Sequence, residues 1–151
     1  MKYVLVALFI GVLSSENYFK NYFENGQIKS EGWLEHNKKT KYWHFYYNNG
    51  NLKSKGHYNN NLKTGYWYYY NDENTVTSEG YYTKNEKNGW WKNYKGDTIE
   101  EVEYINSKKE GLSIYKVKGK PVKAEYYKNG NKTHEWFTLA RFKKEYFKID
   151  E

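Results

Sequence analysis

The stretch Tyr46-Tyr47-Asn48-Asn49-Gly50-Asn51-Leu52-Lys53-Ser54-Lys55-Gly56-His57-Tyr58-Asn59-Asn60-Asn61-Leu62-Lys63-Thr64-Gly65-Tyr66-Trp67-Tyr68-Tyr69 decides the fold. Leu52, Ser54, Gly56 and Tyr58 fall on one face by the period-two rule of an extended strand. Gly65 to Tyr69 is a second run, of aromatics that favour strands. Asn48-Asn49-Gly50 and the polar run from Asn59 to Thr64 are turn signals. Two strands and two turns make one β-hairpin. Asn25-Gly26 and Asn49-Gly50 are expected to form type I′ turns, with positive φ at both residues.

The hairpin recurs. Ser30-Glu31-Gly32, Ser54-Lys55-Gly56 and Ser78-Glu79-Gly80 keep one step along the chain, as do Trp43, Trp67 and Trp91, and Tyr22, Tyr46, Tyr70 and Tyr94. The step is about 24 residues, within the range in which repeat units bury apolar surface only against their neighbours. The expected fold is all-β: an elongated, single-layer antiparallel sheet of tandem hairpins over residues 17–136. Gly32, Gly56 and Gly80 interrupt strands, so each marks a bulge or a close approach of backbone. Past residue 94 the Ser-x-Gly signature is lost. Ile99 to Tyr104 and Val122 to Tyr127 read one residue shorter than Leu52 to Tyr58. Such a change turns the faces over unless a bulge is lost with it, and the sequence leaves both outcomes open. Asn129-Gly130 and Trp136 re-enter the pattern, Trp136 at the Trp67 position. Pro121 stands where an edge or a turn is expected. Residues 137–151 leave the repeat, and Phe137, Leu139, Phe142, Tyr146 and Phe147 are expected to cap the open edge as a strand or short helix.

Residues 1–15 read differently. One early lysine, the apolar run Tyr3 to Leu13 and then Ser14-Ser15 form the pattern of a secretory signal peptide. The run is too short for a bilayer, which needs ~20 apolar residues. The expectation is export to a periplasmic, surface or secreted location, with no transmembrane segment after cleavage.

The composition suits a thin sheet. Hydrophobic residues are only 38% of the chain while aromatics are 21%, so aliphatic filler for a second layer is scarce. Tyr and Trp carry a broad apolar face and a polar handle, as a sheet that is never fully dry requires. The net charge is +7, and Arg141 is the single arginine. Lysine lacks the planar fork that reads phosphates and bases, and nucleic acid is not an expected partner.

Catalytic chemistry is hard to assemble from this chain. It has no cysteine, which excludes disulfides, thiolate metal sites and thiol nucleophiles. His36, His44, His57 and His134 have no metal-ligand spacing and replace other residues of the repeat. The acidic neighbours Asp72-Glu73 and Glu100-Glu101 point to opposite faces of a strand. No enzyme activity, cofactor or metal is expected. The candidate site is the aromatic pattern itself. In Gly65 to Tyr70, alternation puts Trp67 and Tyr69 on one face and Tyr66, Tyr68 and Tyr70 on the other. Trp43, Trp67, Trp91 and Trp136, with Gly32, Gly56 and Gly80, are expected to be structural. Tyr66, Tyr68 and Trp90 are expected to face a partner.

The string Asn49-Gly50-x-Leu52-Lys53-Ser54-x-Gly56-x-Tyr58, followed by Lys63-x-Gly65-x-Trp67-x-Tyr69-Tyr70, resembles the MORN-variant repeat of the YwqK family. Bacterial proteins with this repeat are commonly labelled antitoxins. The resemblance covers residues 17–136, most strongly up to Trp91. It implies an elongated hairpin scaffold that binds a partner, with a toxin-type protein among the candidates; the chain is expected to be a monomer. Lys41 and His134 depart from it, standing where the family has the glycine before its tryptophan. An exported chain would meet an incoming toxin in the periplasm, as an immunity protein does. The alternative reading is an envelope-surface binder of anionic polymer or lipid headgroups through a lysine-rich face.

Overall fold

The structure is a computed structural model and describes residues 16–149; the segment 1–15 lies outside the described residues. Eleven antiparallel strands form one open sheet in strict chain order. They are β1 (Glu16–Tyr22), β2 (Ile28–Glu35), β3 (Lys38–Tyr46), β4 (Leu52–Asn59), β5 (Leu62–Tyr70), β6 (Val76–Thr83), β7 (Glu86–Lys95), β8 (Thr98–Ile105), β9 (Lys108–Val117), β10 (Lys120–Lys128) and β11 (Asn131–Trp136). A short helix, α1 (Leu139–Glu145), and a 3₁₀ turn (Tyr146–Lys148) follow. Among the described residues no helix is long and apolar enough to cross a membrane. At about 4.8 Å per strand the sheet is roughly 50 Å across.

The core is a row of indoles lying on one face, here called the tryptophan face. Trp67 and Trp91 are 0% exposed and Trp43 is 1% exposed. Each lies flat over the glycine opposite it: Trp43 over Gly32, Trp67 over Gly56 and Trp91 over Gly80. A Cβ at any of these glycines would fall inside the indole. The glycines therefore supply space for a ring; none of the three has a left-handed backbone. Between the indoles sit Phe45 and Tyr69, with ring centroids 6.0 to 6.3 Å from their neighbours. Tyr58 and Tyr82 meet Trp67 and Trp91 edge-on at 5.1 Å.

The bulges beside these glycines are two residues wide. Gly32 pairs with Trp43 while Trp33 pairs with Thr40, which leaves Lys41 and Tyr42 unmatched against β2. The same happens at Gly80–Trp91 and Tyr81–Asn88. The first bulged residue is left-handed: Lys41 at φ 57°, Gly65 at 67°, Gly89 at 69° and Gly111 at 69°. Two extra residues keep the alternation of faces intact. The indole nitrogen donates into the carbonyls that the bulge releases: Trp43 to Trp33 O at 3.0 Å and Thr40 O at 3.1 Å, and Trp67 to His57 O at 3.1 Å.

The turns correct the sequence reading. Asn25-Gly26 and Asn49-Gly50 are not type I′, because only their glycines have positive φ. They close three-residue loops in which Gly26 N bonds Phe23 O at 3.0 Å and Phe23 N bonds Gln27 O at 2.8 Å, the type I turn with a glycine bulge. Asn74 (φ 64°) fills the glycine position of the third such loop. The two-residue turns with positive φ at both positions are His36-Asn37, Asn60-Asn61, Lys84-Asn85, Asn106-Ser107, Lys118-Gly119 and Asn129-Gly130.

The degraded half keeps its faces. β7 pairs β8 without a shift through Tyr94–Ile99 and Lys95–Thr98, so the Lys53-type bulge is gone and the missing residue is accounted for. In β10 the bulge survives at Val122, and Pro121, opposite Lys116, takes the Leu52 position. Val102 replaces the glycine opposite Trp91, and Ser113 replaces the next tryptophan; both are 0% exposed. With no indole at 113, a side chain at 102 has room.

Trp136 is buried but lies on the other face. In the last hairpin the bulge is one residue wide, between Tyr126–His134 and Tyr127–Lys132. That odd insertion reverses the alternation, so Glu135 pairs with Glu125 and Trp136 with Ala124. Helix α1 packs there through Phe142, 5.4 Å from Trp136, and the 3₁₀ turn through Tyr146, 6.2 Å from Tyr126. The C-terminal segment thus covers the face of the last hairpin rather than pairing with its edge.

Candidate partner-binding face

The face opposite the tryptophans is the less covered one. Trp90 is 49% exposed and Tyr81 is 55% exposed. Tyr66 and Trp90 are the second residues of their bulges, each directly before a buried indole. Tyr66 stands 4.9 Å from Tyr81 and 5.0 Å from Tyr68, measured between ring centroids. Tyr66, Tyr81, Trp90, Lys92 and Glu101 line a shallow concavity. Tyr68 stands one row aside, under the Lys55 ammonium at 5.3 Å. Of the three residues expected to face a partner, Tyr66 and Trp90 therefore share one hollow, and Tyr68 borders it. Tyr81, Lys92 and Glu101 were missed. Alternation from Gly80 marks Tyr81 as outward, so that signal was present; the bulge that brings Trp90 beside it was not legible.

Acidic groups order the rest of this face. Tyr46 donates its hydroxyl to Glu31 at 2.7 Å, and Tyr94 donates to Glu79 at 2.6 Å. The Tyr46 bond holds the Glu31 carboxyl below its usual range, against the opposing effect of burial. His44 stacks on Tyr46 and sits 5.0 Å from Tyr42, and burial pushes its imidazole pKa down. It reads as a packed ring of the sheet.

The tryptophan face carries charge that sequence reading did not place. Lys39, Lys63 and Lys87 lie over its rings: Lys39 4.9 Å from Trp43, Lys63 4.5 Å from Trp67 and Lys87 4.1 Å from Trp91. Desolvation lowers all three ammonium pKa values, and in Lys63 the charges of Lys39 and Lys87 lower it further. Further along, acids take over. Glu100 accepts from Lys109, Ser113 and Tyr115 at 2.5 to 2.9 Å. Glu125, 3% exposed, accepts from Tyr115, Lys123, Tyr127 and Lys132 at 2.7 to 3.2 Å. Burial acts to raise the Glu125 pKa, but these four hydrogen bonds outweigh it and hold the carboxyl far below the usual range.

Among the described residues no three His, Asp or Glu side chains come together as a metal site. Compared with known proteins, the chain matches no family model and no curated protein.

Proposed function

We propose that this chain is a non-catalytic scaffold that holds a protein partner on the face of Tyr66, Tyr68, Tyr81 and Trp90. The observation that carries the reading is the pairing of a half-exposed Trp with a more exposed Tyr at one hollow. Large aromatics with a polar handle are preferred anchors of protein interfaces. Lys92 at the rim offers a positive charge to orient a partner, while Glu101 beside it is engaged by Lys116. The signal-like residues 1–15 and the resemblance to the YwqK-type repeat extend the proposal to an exported protein of the immunity or antitoxin class, acting as a monomer, with a toxin as partner.

A photo-crosslinking residue at Trp90 should capture a single partner in the producing cell, and the same probe at Asn49 should not. Against that partner, Trp90→Ala should weaken binding by ~1–2 kcal/mol and leave the urea melt nearly unchanged. Trp91→Ala should instead cost about 3–5 kcal/mol of stability, as for any large aromatic removed from a packed interior. A partner whose affinity is indifferent to both Trp90→Ala and Tyr81→Ala would remove this reading.

A further inference from the structure

The row Lys39, Lys63, Lys87 is set into the sheet with unusual regularity. These residues occupy equivalent positions in β3, β5 and β7, two strands apart each time. Two strand spacings put successive ammonium groups about 9.5 Å apart. Each group has more than one ring beneath it. Lys39 lies 5.0 Å from Phe45 and 5.2 Å from Tyr58, Lys63 lies 5.2 Å from Tyr69 and 5.1 Å from Tyr82, and Lys87 lies 5.0 Å from Tyr104. Lys63 also donates to the Tyr69 hydroxyl at 2.8 Å. The rings fix the positions of these charges in advance, which lowers the ordering cost of binding.

None of the three forms an ion pair among the described residues, whereas the lysines that continue the face do. Lys109 pairs with Glu100, and Lys123 and Lys132 pair with Glu125 and Glu135. The face therefore has a neutralised C-terminal half and an uncompensated cationic half. Three like charges, each partly desolvated, oppose one another with no acid between them, although Lys87 feels the field of Glu100. The rings beneath these ammonium groups offset a part of the cost of holding them partly desolvated, but no carboxylate neutralises them. An anion laid along the row would relieve the repulsion.

We propose that Lys39, Lys63 and Lys87 form a binding track for a linear acidic polysaccharide whose anionic groups recur on alternate sugars. An extended chain of that kind repeats its charge at close to the step of the row. The half-buried rings of Phe45, Tyr58, Tyr69 and Tyr82 between the ammonium groups offer apolar surface to sugar faces. The paired hydroxyls of Tyr69 and Tyr82, 3.0 Å apart, offer hydrogen bonds to sugar hydroxyls. Duplex nucleic acid carries a phosphate every 3.4 Å per strand, too dense for this step. A flat lipid surface would have to reach ammonium groups that lie down among rings instead of projecting from the sheet.

The test uses the full chain and a hyaluronan decasaccharide, which has one carboxylate per disaccharide, in titrations from 20 to 200 mM NaCl. Binding should weaken steadily as salt rises, because screening reduces the attraction between the three ammonium groups and the carboxylates. Lys63→Met should weaken binding at least fivefold and make it less sensitive to salt, while its thermal midpoint falls by no more than about 2–4 °C. Lys95→Met, at an exposed strand end, should change neither. The proposal is overturned by no binding at 20 mM NaCl, by equal binding of Lys63→Met, or by a collapse of the Lys63→Met midpoint, which would make the row structural. It is equally overturned if phosphatidylglycerol vesicles or single-stranded DNA bind more tightly than the decasaccharide. Trp90 lies on the opposite face, so Trp90→Ala should leave this titration unchanged, and the two sites can fail independently.

Discussion

Gly56 and Trp67 are best understood as one unit. The indole needs a flat floor, the floor must lack a Cβ, and the indole nitrogen then satisfies the carbonyl of His57 beside the bulge. Gly56→Val should therefore displace Trp67 and cost about 1–3 kcal/mol, the range for overpacking a dense site. Lys55→Thr next to it should change stability by less than ~0.5 kcal/mol. Urea melts of the two variants check the contrast, and equal effects would contradict the ring-over-glycine packing. The identities at this site were legible in the sequence because Trp43, Trp67 and Trp91 recur with their glycines in one step. The reason for the glycine was only half legible: the spacing allowed a bulge or a close approach, and the structure contains both, side by side.

A hairpin's bulge decides which way its side chains face. Two bulged residues preserve alternation and put Trp43, Trp67 and Trp91 in one row; a single bulged residue puts Trp136 on the other face, although its spacing from Asn129-Gly130 fits the repeat. Sequence spacing counts residues and does not reveal how many of them lie outside the ladder, which is why it put Trp136 at the Trp67 position, on the wrong face, and left the shortened strands open. The three-residue loops escaped for the same reason, since Asn-Gly serves both turn types. The bulge also explains the departure at Lys41, a non-glycine residue held at φ 57°. A left-handed conformation costs an L-residue about 1–2 kcal/mol. The Lys41 ammonium recovers a part of this through an exposed pair with Glu16 at 2.5 Å, and such pairs contribute little. Lys41→Gly should thus stabilise the protein by about 0.5–1 kcal/mol in denaturant unfolding, whereas Gly65→Lys at the equivalent bulge should destabilise it.

Across the whole sheet, charge is distributed unevenly between the two ends. The C-terminal half depends on ionised Glu100 and Glu125, whose carboxyl pKa values are both held down in the fold by hydrogen bonds that overcome burial. Their unfolded values lie near 4.3. A depressed folded pKa contributes stability that is fully present above that value and is lost as the pH falls toward the folded one. These two carboxyls should make stability decline progressively below about pH 5, and the depressed imidazole of His44 should add a shallower loss that begins below about pH 6.5. Glu125→Gln should cost about 1–3 kcal/mol at pH 7, and the gap to the unmodified chain should narrow at pH 3. A constant gap would mean that the Glu125 charge is not what holds β9 to β11 together. Composition foretold a thin sheet rich in aromatics, and that is what formed. It could not reveal that the lysines of alternate strands line up, because the alignment depends on the strands pairing in unbroken chain order. That order has a mechanical side. The first and last strands lie at opposite edges, and every strand is bonded only to its neighbours in sequence. Tension applied to the two ends would pull across the strands and load the hydrogen bonds one row at a time. Such a sheet opens like a zipper, yielding at low force and paying out slack one hairpin after another.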